Sequence, residues 1–374
     1  MRMVRAAHPT PEVLEKRKVE ICTYPSSIDP DLTLSAEFSV PAEPKPLCLF
    51  FHGWHMTAES ARQHTAFTPQ LDDFFVVNVD MRGRGQSTGQ PDACGHELID
   101  ALDALDYARR TWPDAIAPGA PAYASGGSGG GGNTMTLLGK APDLFAAGAA
   151  WAGMSDYALW YHDDYRGCYR DEMEGKGWIG GSPESNPEGY RSRGAINVME
   201  NVSAGLLVIH GRRDDSVEVH HAEKYEARAR ELGKDNIRFH YNDRGHDSVE
   251  WPLMAEHMQS YQQAPQLPQK GTLLVHSFVA TQAFWLVLDD PARMGQVDYE
   301  LDADGRLASL EFSQAPDATP ASSVRLRVFG PVEGVDVRRG AERFAATLVA
   351  TEQDRSHFTW ASGPKWSARV RRPE

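Results

Sequence analysis

One serine of the chain lies in a run of glycines whose spacing is typical of a strained turn. Residues 126–130 read GGSGG and fit the pattern Gly-x-Ser-x-Gly around Ser128. With a strand before it and a helix after it, such a turn exposes the serine hydroxyl as a nucleophile for acyl transfer. A flexible tether is the alternative, since Gly and Ser also dominate linkers. Ser125 is a weaker candidate nucleophile, because Tyr123 stands where the pattern requires glycine.

Two later segments supply the acid and the base that a serine nucleophile needs. Asp214 follows the apolar run LLVIHG, and His246 follows the strand-like run IRFHYND. A carboxylate at a strand end can hold an imidazole in one tautomer, and that imidazole can remove the serine proton. Asp215 is the neighbouring alternative acid, and His240 and His257 compete as bases. The order Ser, Asp, His along the chain is the order used by one class of serine hydrolases.

The segments that carry these residues alternate between strand and helix patterns. PLCLFFHG, DFFVVNVD and LFAAGAAW are continuous apolar runs, as in buried parallel strands, whereas HELIDALDALDYARR and HAEKYEARARELG have helical spacing. In the first of these helices we expect the leucines to face the core and the acids to lie on the opposite face. KVEICTY and LTLSAEFSV, with partial alternation, are expected at a sheet edge, after an arm or short helix in the first twenty residues.

This alternation predicts an α/β domain with a doubly wound, mostly parallel sheet in residues 1–265. After the linker-like segment QQAPQLPQKG the pattern changes to short alternating strands, such as GQVDYELD, LASLEFS and SSVRLRVFG. They predict a small all-β unit over residues 271–374, which we expect to be sandwich-like. An extension of the main domain is the alternative.

Composition narrows the class of protein. Lys and Arg number 38 and Asp and Glu 52, so the net charge is 38 − 52 = −14, which argues against a nucleic-acid or membrane partner. Hydrophobic residues make up 41% of the chain, enough for a sizeable core. The four cysteines are scattered and are expected to be reduced, and no apolar run resembles a signal peptide or a membrane span. We therefore expect a cytoplasmic protein.

Together these segments resemble the α/β-hydrolase superfamily, and most closely the catalytic domain of the prolyl oligopeptidase family and its esterase relatives. The resemblance covers roughly residues 45–255 and rests on GGSGGGGNTMTLLGKAPDLFAAGAAWAGMSDY, GLLVIHGRRDDSVEV, RGHDS, LFFHGW and NVDMRGRGQSTG. It implies that Ser128 is the nucleophile, that Asp214 is the acid and that His246 is the base. The peptidases of that family carry a β-propeller before this domain, whereas only about forty residues precede it here, so we expect esterase activity.

The predicted mechanism needs no cofactor and no metal. The backbone N–H groups of Gly129 and Trp54 are expected to form the oxyanion hole. His162 in HDD and the pair His220-His221 could suggest metal ligands, but neither has a recognised ligand spacing. Asp80 and Arg82 are interpreted as structural residues at a strand end and a turn.

The stretch 155–201, called the cap below, is expected to cover the substrate pocket. Trp54 and the cap aromatics Trp160, Tyr161 and Trp178, with Tyr165 beside them, are candidate substrate contacts. Packing within the cap itself is the equally favoured interpretation.

The sequence therefore predicts a serine hydrolase that cleaves a carboxylic ester of a small molecule or a glycan through an acyl-enzyme. One alternative is a serine peptidase acting on short peptides. The other is a catalytically inactive, hydrolase-fold binding protein, which the complete set of triad residues and glycines disfavours. Whether the protein forms homo-oligomers is left open.

Overall fold

The computed structural model describes residues 17–63, 71–164, 167–352 and 354–373. The predicted arm at residues 1–16 therefore lies outside the described residues. The first sheet consists of β1 (Arg17–Pro25), β2 (Thr33–Pro41), β3 (Leu47–Phe51), β4 (Phe75–Asp80), β5 (Ala122–Gly127), β6 (Phe145–Trp151), β7 (Gly205–Gly211) and β8 (Ile237–Asn242). Its order is β1-β2-β4-β3-β5-β6-β7-β8. Strands β3 to β8 are mutually parallel, and β1 and β2 pair antiparallel at one side, which confirms the predicted mostly parallel sheet.

Helices cover both faces of this sheet. The α-helices are α1 (Ala58–Ala61), α2 (Glu97–Thr111), α3 (Gly129–Lys140), α4 (Tyr157–Asp163), α5 (Cys168–Arg170), α6 (Pro187–Arg191), α7 (His220–Glu231) and α8 (Trp251–Gln259). Short 3₁₀ turns span Pro113–Ala115 and Ala195–Asn201, and a π-helical turn spans Asp171–Gly175. In β3, Leu49 belongs to a core shared with α2 and α3, whereas Phe50 belongs to a core shared with α8. The alternation of side chains along a strand thus buries both faces.

Two expectations about the first sheet need correction. Strand β1 is at the sheet edge, but β2 lies between β1 and β4 and is almost wholly buried. The acids of α2 do not face solvent. Asp100 accepts hydrogen bonds from Ser26 Oγ at 2.8 Å and from Arg82 Nε at 2.5 Å. Asp103 accepts one from the Ser27 amide at 2.7 Å. The chain around the helix covers its acidic face and supplies partners for each carboxylate.

In the part of the chain that the structure describes, the second sheet contains eleven strands and confirms the predicted all-β unit at the C-terminal side. They are β9 (Lys270–His276), β10 (Phe278–Ala280), β11 (Phe284–Leu288), β12 (Met294–Leu301), β13 (Leu307–Gln314), β14 (Ser323–Phe329), β15 (Gly334–Arg339), β16 (Glu342–Ala345), β17 (Thr347–Glu352), β18 (Arg355–Ala361) and β19 (Lys365–Arg371). Strands β19 and β18 are third and tenth in the sheet order, yet Trp366 and Trp360 on them have ring centroids 4.9 Å apart. The sheet therefore folds over onto itself.

The two sheets are joined by side-chain contacts as well as by the chain. Lys140 Nζ at the end of α3 donates to Ser277 Oγ at 2.8 Å, between β9 and β10. Asp106 on α2 accepts a hydrogen bond from Arg355 of β18 at 2.5 Å. Among the described residues, no helix has both the length and the apolar composition needed to cross a membrane.

Candidate active site

Ser128 occupies a strained turn between β5 and α3. Its backbone has φ 56° and ψ −122°, a conformation that L-residues rarely adopt. A Cβ on Gly126 would lie 2.8 Å from the carbonyl oxygen of Phe51, and one on Gly130 would lie 2.2 Å from it. Both glycines are therefore required by the close approach of β3. The glycine run is a tight turn from β5 into α3 and not a tether.

Ser125 does not share this position. It is wholly buried within β5, and its Oγ donates a hydrogen bond to the carbonyl oxygen of Ala149 at 3.0 Å. A hydroxyl engaged inside the sheet cannot reach a substrate.

Asp214 and His246 form a hydrogen-bonded pair at the ends of β7 and β8. His246 Nδ1 lies 2.9 Å from Oδ2 and 3.0 Å from Oδ1 of Asp214, so Nδ1 is the donor and Nε2 is left for the cleft. Asp214 Oδ1 also accepts hydrogen bonds from the amides of Ser216 and Val217, at 2.9 and 3.0 Å. This is the geometry of a carboxylate that orients a catalytic imidazole.

The acid has a further partner that the sequence did not reveal. His210, on β7, is completely buried, and its Nε2 lies 2.8 Å from the carbonyl oxygen of Val217 and 3.5 Å from Asp214 Oδ2. Burial alone would raise the pKa of Asp214, but hydrogen bonds from His210 and His246 hold that pKa well below its ordinary range. The only sequence signal was a polar residue near the end of an apolar strand.

The rival residues have surroundings different from those of this pair. Asp215 is exposed, and His240 lies within β8. His257 is buried in α8 with its ring centroid 5.1 Å from that of Tyr261. Burial lowers the pKa of His257 to about 4, which is consistent with a neutral imidazole in the core.

Ser128 and His246 line the same cleft, whose volume is about 340 Å³. The other residues of its walls include Phe50, Trp54, Met56, Trp151 and Tyr169. These walls are mainly apolar, so the cleft suits an uncharged group next to the reacting carbonyl.

The amide nitrogen of Trp54, one of the two predicted oxyanion donors, lies beside Gly129, the other. A Cβ on Gly129 would be 2.6 Å from the amide nitrogen of Trp54. His52 fixes the loop that carries Trp54: its Nδ1 lies 2.8 Å from the Gly53 carbonyl oxygen, and its Nε2 accepts a hydrogen bond from the Met81 amide at 3.2 Å. The loop path thus brings the second amide beside the nucleophile turn.

The cap aromatics are placed differently from the substrate contacts predicted for them. Trp160, Tyr161 and Trp178 are buried and none lies in the cleft wall beside Ser128. Their rings pack against neighbouring aromatic rings, which is the packing interpretation given above. Tyr169 reaches the cleft instead, together with Trp54. Tyr165 lies outside the described residues.

Asp80 and Arg82 serve the framework of the site. Asp80 accepts hydrogen bonds from the amides of Ala58 at 2.7 Å and Gln86 at 3.0 Å. Arg82 pairs with Asp100 at 2.5 Å. These contacts hold the start of α1 and the turn after β4 in place.

One cluster of potential metal ligands occurs among the described residues, at Asp163, His220 and His221. Asp163 Oδ2 lies 2.7 Å from His220 Nε2 and 3.3 Å from His221 Nε2. However, His221 Nδ1 accepts a hydrogen bond from the Ser155 amide, at 3.3 Å, so its proton is on Nε2. That nitrogen offers a donor to the carboxylate and not a lone pair to a metal. The cluster joins the cap to α7.

A mostly parallel sheet with a serine at the turn after β5, and an Asp–His pair after β7 and β8, defines the α/β-hydrolase fold class. The model of the prolyl oligopeptidase family matches residues 62–265 of the chain. The chain belongs to this family.

Individual relatives share part of the chain. An uncharacterized peptidase, YtmA, of Bacillus subtilis (strain 168) is 29% identical over 172 residues, which cover 45% of this chain and 63% of that protein. Acylaminoacyl peptidase of Pyrococcus horikoshii superposes with a TM-score of 0.53 at 22% identity, over 66% of this chain and 41% of its own. A Pyrococcus furiosus esterase superposes with a TM-score of 0.51 at 14% identity, over 69% of this chain and 96% of its own. The chain thus spans less than two thirds of either peptidase, and the two structures share its fold.

Proposed function

We propose that the protein is a serine hydrolase that cleaves a carboxylic ester through Ser128, His246 and Asp214. The observation that carries the proposal is the strained turn that presents Ser128 to the same cleft as His246, whose Nδ1 is held by Asp214. The three groups that this form of acyl transfer requires, a nucleophile, a base and an orienting carboxylate, are then present.

In the first half of the reaction, Ser128 Oγ attacks the carbonyl carbon of the ester. Its proton passes to His246 Nε2, because Nδ1 already donates to Asp214. The charge on the carbonyl oxygen is stabilised by the N–H groups of Gly129 and Trp54. The amide nitrogen of Trp54 lies beside Gly129, which supports this pairing. The tetrahedral intermediate then expels the alcohol, which takes the proton from His246 and leaves the acyl group on Ser128.

In the second half, water replaces the alcohol. His246 removes a proton from the water as it attacks the acyl-enzyme, and the same proton returns to Ser128 Oγ as the acid product leaves. Asp214 remains ionised throughout, since its hydrogen bonds hold its pKa well below the ordinary range. The chain's own residues therefore supply every proton transfer of the cycle.

The cleft favours an ester with an uncharged, apolar acyl group. Its walls are formed mainly by aromatic and aliphatic side chains, and its volume of about 340 Å³ suits a small acyl chain or one aromatic ring. The Pyrococcus furiosus esterase, which aligns over 96% of its own length, supplies a precedent of the same fold without a large additional domain.

Cleavage of short peptides is the second candidate. The family description and the relatives' names favour it, because YtmA is described as a peptidase and the Pyrococcus horikoshii relative as an acylaminoacyl peptidase. The same triad can cleave an activated amide if the cleft accepts a peptide, so substrate tests must include both bond types.

The test measures the rates at which the wild type and Ser128→Ala hydrolyse a series of nitrophenyl esters and a proline-type peptide anilide. We expect ester turnover to fall at least about 1000-fold in Ser128→Ala, because the nucleophile is lost. Ser125→Ala is the matched control and should retain activity, since Ser125 is buried. Anilide cleavage that depends on Ser128 would favour the peptidase, and activity that survives in Ser128→Ala would refute the proposed triad.

A further inference from the structure

One carboxylate fastens the cap to the loop that carries the predicted oxyanion donor. Glu172 lies in the π-helical turn of the cap, with a side chain that is only 8% exposed. Its Oε2 accepts a hydrogen bond from Trp54 Nε1 at 2.5 Å and another from His55 Nε2 at 2.7 Å. Trp54 and His55, adjacent residues of the loop after β3, therefore both bind a single carboxylate oxygen of the cap.

The indole of Trp54 is held on its other sides by aromatic rings. Its ring centroid lies 4.9 Å from that of Trp160 and 5.0 Å from that of Trp178. The carboxylate of Glu172 fixes the polar edge of the indole, and the rings enclose its apolar surface. The side chain of Trp54 is thereby confined to one orientation.

This orientation bears on the backbone of the same residue. The amide nitrogen of Trp54 lies beside Gly129, and the loop turns sharply after it, with the Met56 amide donating to the Gly53 carbonyl at 2.9 Å. In such a short loop, we expect a shift of the anchored Trp54 side chain to displace the amide of the same residue. Catalysis by a backbone donor is sensitive to small displacements, since a misplacement of about 1 Å can cost about 100-fold in rate.

Burying a carboxylate for packing alone would be unfavourable. Removing a charge from water is costly unless partners replace its hydration. At this position, among tryptophan rings, an apolar side chain would fill the same space without that cost. Glu172 instead places a charge where two loop donors require an acceptor, with Lys176 Nζ 3.4 Å from its other oxygen.

We propose that Glu172 is a positioning residue that aligns the Trp54 amide with the oxyanion and keeps the cap closed over the cleft. The inference rests on the proposed function, in which Trp54 supplies one of the two oxyanion donors. Through Glu172, the cap would contribute to stabilising the transition state in addition to covering the substrate.

The first test compares Glu172→Ala and Glu172→Gln with Asp171→Asn, a change at an exposed carboxylate of the same turn. We expect Glu172→Ala to lower kcat for the best nitrophenyl ester about 10- to 100-fold, with KM changed less than about 3-fold. Glu172→Gln should lose less, because its amide oxygen can still accept both hydrogen bonds at the Oε2 position, although without the charge. Asp171→Asn should match the wild type.

A trifluoromethyl ketone that adds to Ser128 provides a second readout. Its adduct carries an oxyanion, so its inhibition constant should rise in proportion to the loss of kcat. A purely structural role for Glu172 would lower the thermal midpoint without this proportional change. Loss confined to KM, or an unchanged inhibition constant, would overturn the proposal.

Trp54→Phe tests the same contact from the other side, in case Glu172→Ala does not fold. It removes the Nε1 donor and keeps an aromatic ring, and we expect a similar loss of kcat. The double variant should lose no more kcat than Glu172→Ala alone, because both single variants remove the same Trp54–Glu172 hydrogen bond. Additive losses would contradict the proposal.

Ser128→Ala separates the proposed function from the positioning role of Glu172. If Ser128→Ala leaves activity intact, the proposed function fails. If the reaction depends on Ser128 but Glu172→Ala has a normal kcat, only the positioning role is rejected.

Discussion

At the scale of single residues, burial and hydrogen bonds determine the charge of the acid. The side chain of Asp214 is completely buried, whereas that of His246 is 34% exposed. The two backbone amides, His210 and His246 surround the carboxylate with donors, so the buried charge is compensated. A carboxylate of this kind stabilises the imidazolium that forms when Ser128 gives up its proton.

Replacing Asp214 with Asn should abolish most of the stabilisation of the His246 imidazolium. The amide would present N–H groups to His246 Nδ1 and favour the wrong tautomer, so we expect kcat to fall about 10³- to 10⁴-fold with little change in KM. Steady-state kinetics on the nitrophenyl ester measures it. Asp215→Asn, at the exposed neighbouring position, is the control and should keep wild-type kcat. The reverse result would transfer the role of the acid to Asp215.

At the scale of elements, helix α3 connects the nucleophile turn to the second sheet. Its first residue follows Ser128, and its last, Lys140, donates from Nζ to the Cys94 carbonyl oxygen at 2.7 Å and to Ser277 Oγ at 2.8 Å. Burial lowers the pKa of Lys140 to about 7. The helix therefore ends in an ammonium group that is held by neutral partners and loses its proton at a lower pH than an ordinary lysine does.

This lysine should make stability depend on pH. Between pH 7 and about pH 10 the unfolded chain keeps a proton on Lys140 that the folded chain has lost, so the free energy of unfolding should rise with pH. Lys140→Met removes this rise. Relative to wild type, the variant should lose up to about 1.4 kcal/mol per pH unit across that window, measured by urea unfolding.

Lys224→Met, on the exposed surface of α7, serves as the control for this measurement and should show no such trend. If the difference between Lys140→Met and wild type is constant from pH 7 to about pH 10, then Lys140 remains charged in the folded protein and the expectation is wrong.

At the scale of the whole molecule, the second sheet completes the core of the first. Phe278, Trp285 and Val287, from β10 and β11, belong to the same buried cluster as residues of α2 and α3. The contacts of Arg355 with Asp106 and of Lys140 with Ser277 lie at this boundary. The β-rich unit is therefore packed onto the hydrolase sheet and not merely appended to it.

Deletion of residues 270–374 should consequently destabilise the hydrolase part. The deletion removes Phe278, Trp285 and Val287 and exposes to water the apolar surface that they cover in this cluster. Exposed apolar surface costs about 25 cal/mol per Å², and a typical domain is stable by only about 5–15 kcal/mol. We expect the truncated chain to be insoluble or to be digested rapidly by a protease under conditions in which the full chain resists. A truncated chain that remains soluble, protease-resistant and active would show that the first sheet folds independently.

Local patterns in the sequence determined much of the fold and the nucleophile turn. The apolar runs of β3, β4, β6 and β7 and the helical spacing of α2 are properties of neighbouring residues, so they could be predicted without the tertiary structure. The spacing of Gly126, Ser128 and Gly130 likewise reports a backbone constraint that acts over five residues. Strands β15, β18 and β19 were not among the predicted strands, although apolar and polar residues alternate in them as they do in β12 and β14.

Only the tertiary structure decided which residues meet across long separations in the chain. Glu172 contacts Trp54 across 118 positions, and Asp106 contacts Arg355 across 249. The acids of α2 are buried because other parts of the chain cover them, and Tyr169 lines the cleft because the cap folds over it. Periodicity shows which face of an element is apolar, but it carries no information about which distant segment covers a polar side chain. That depends on packing, and here packing places a carboxylate beside the predicted oxyanion donor.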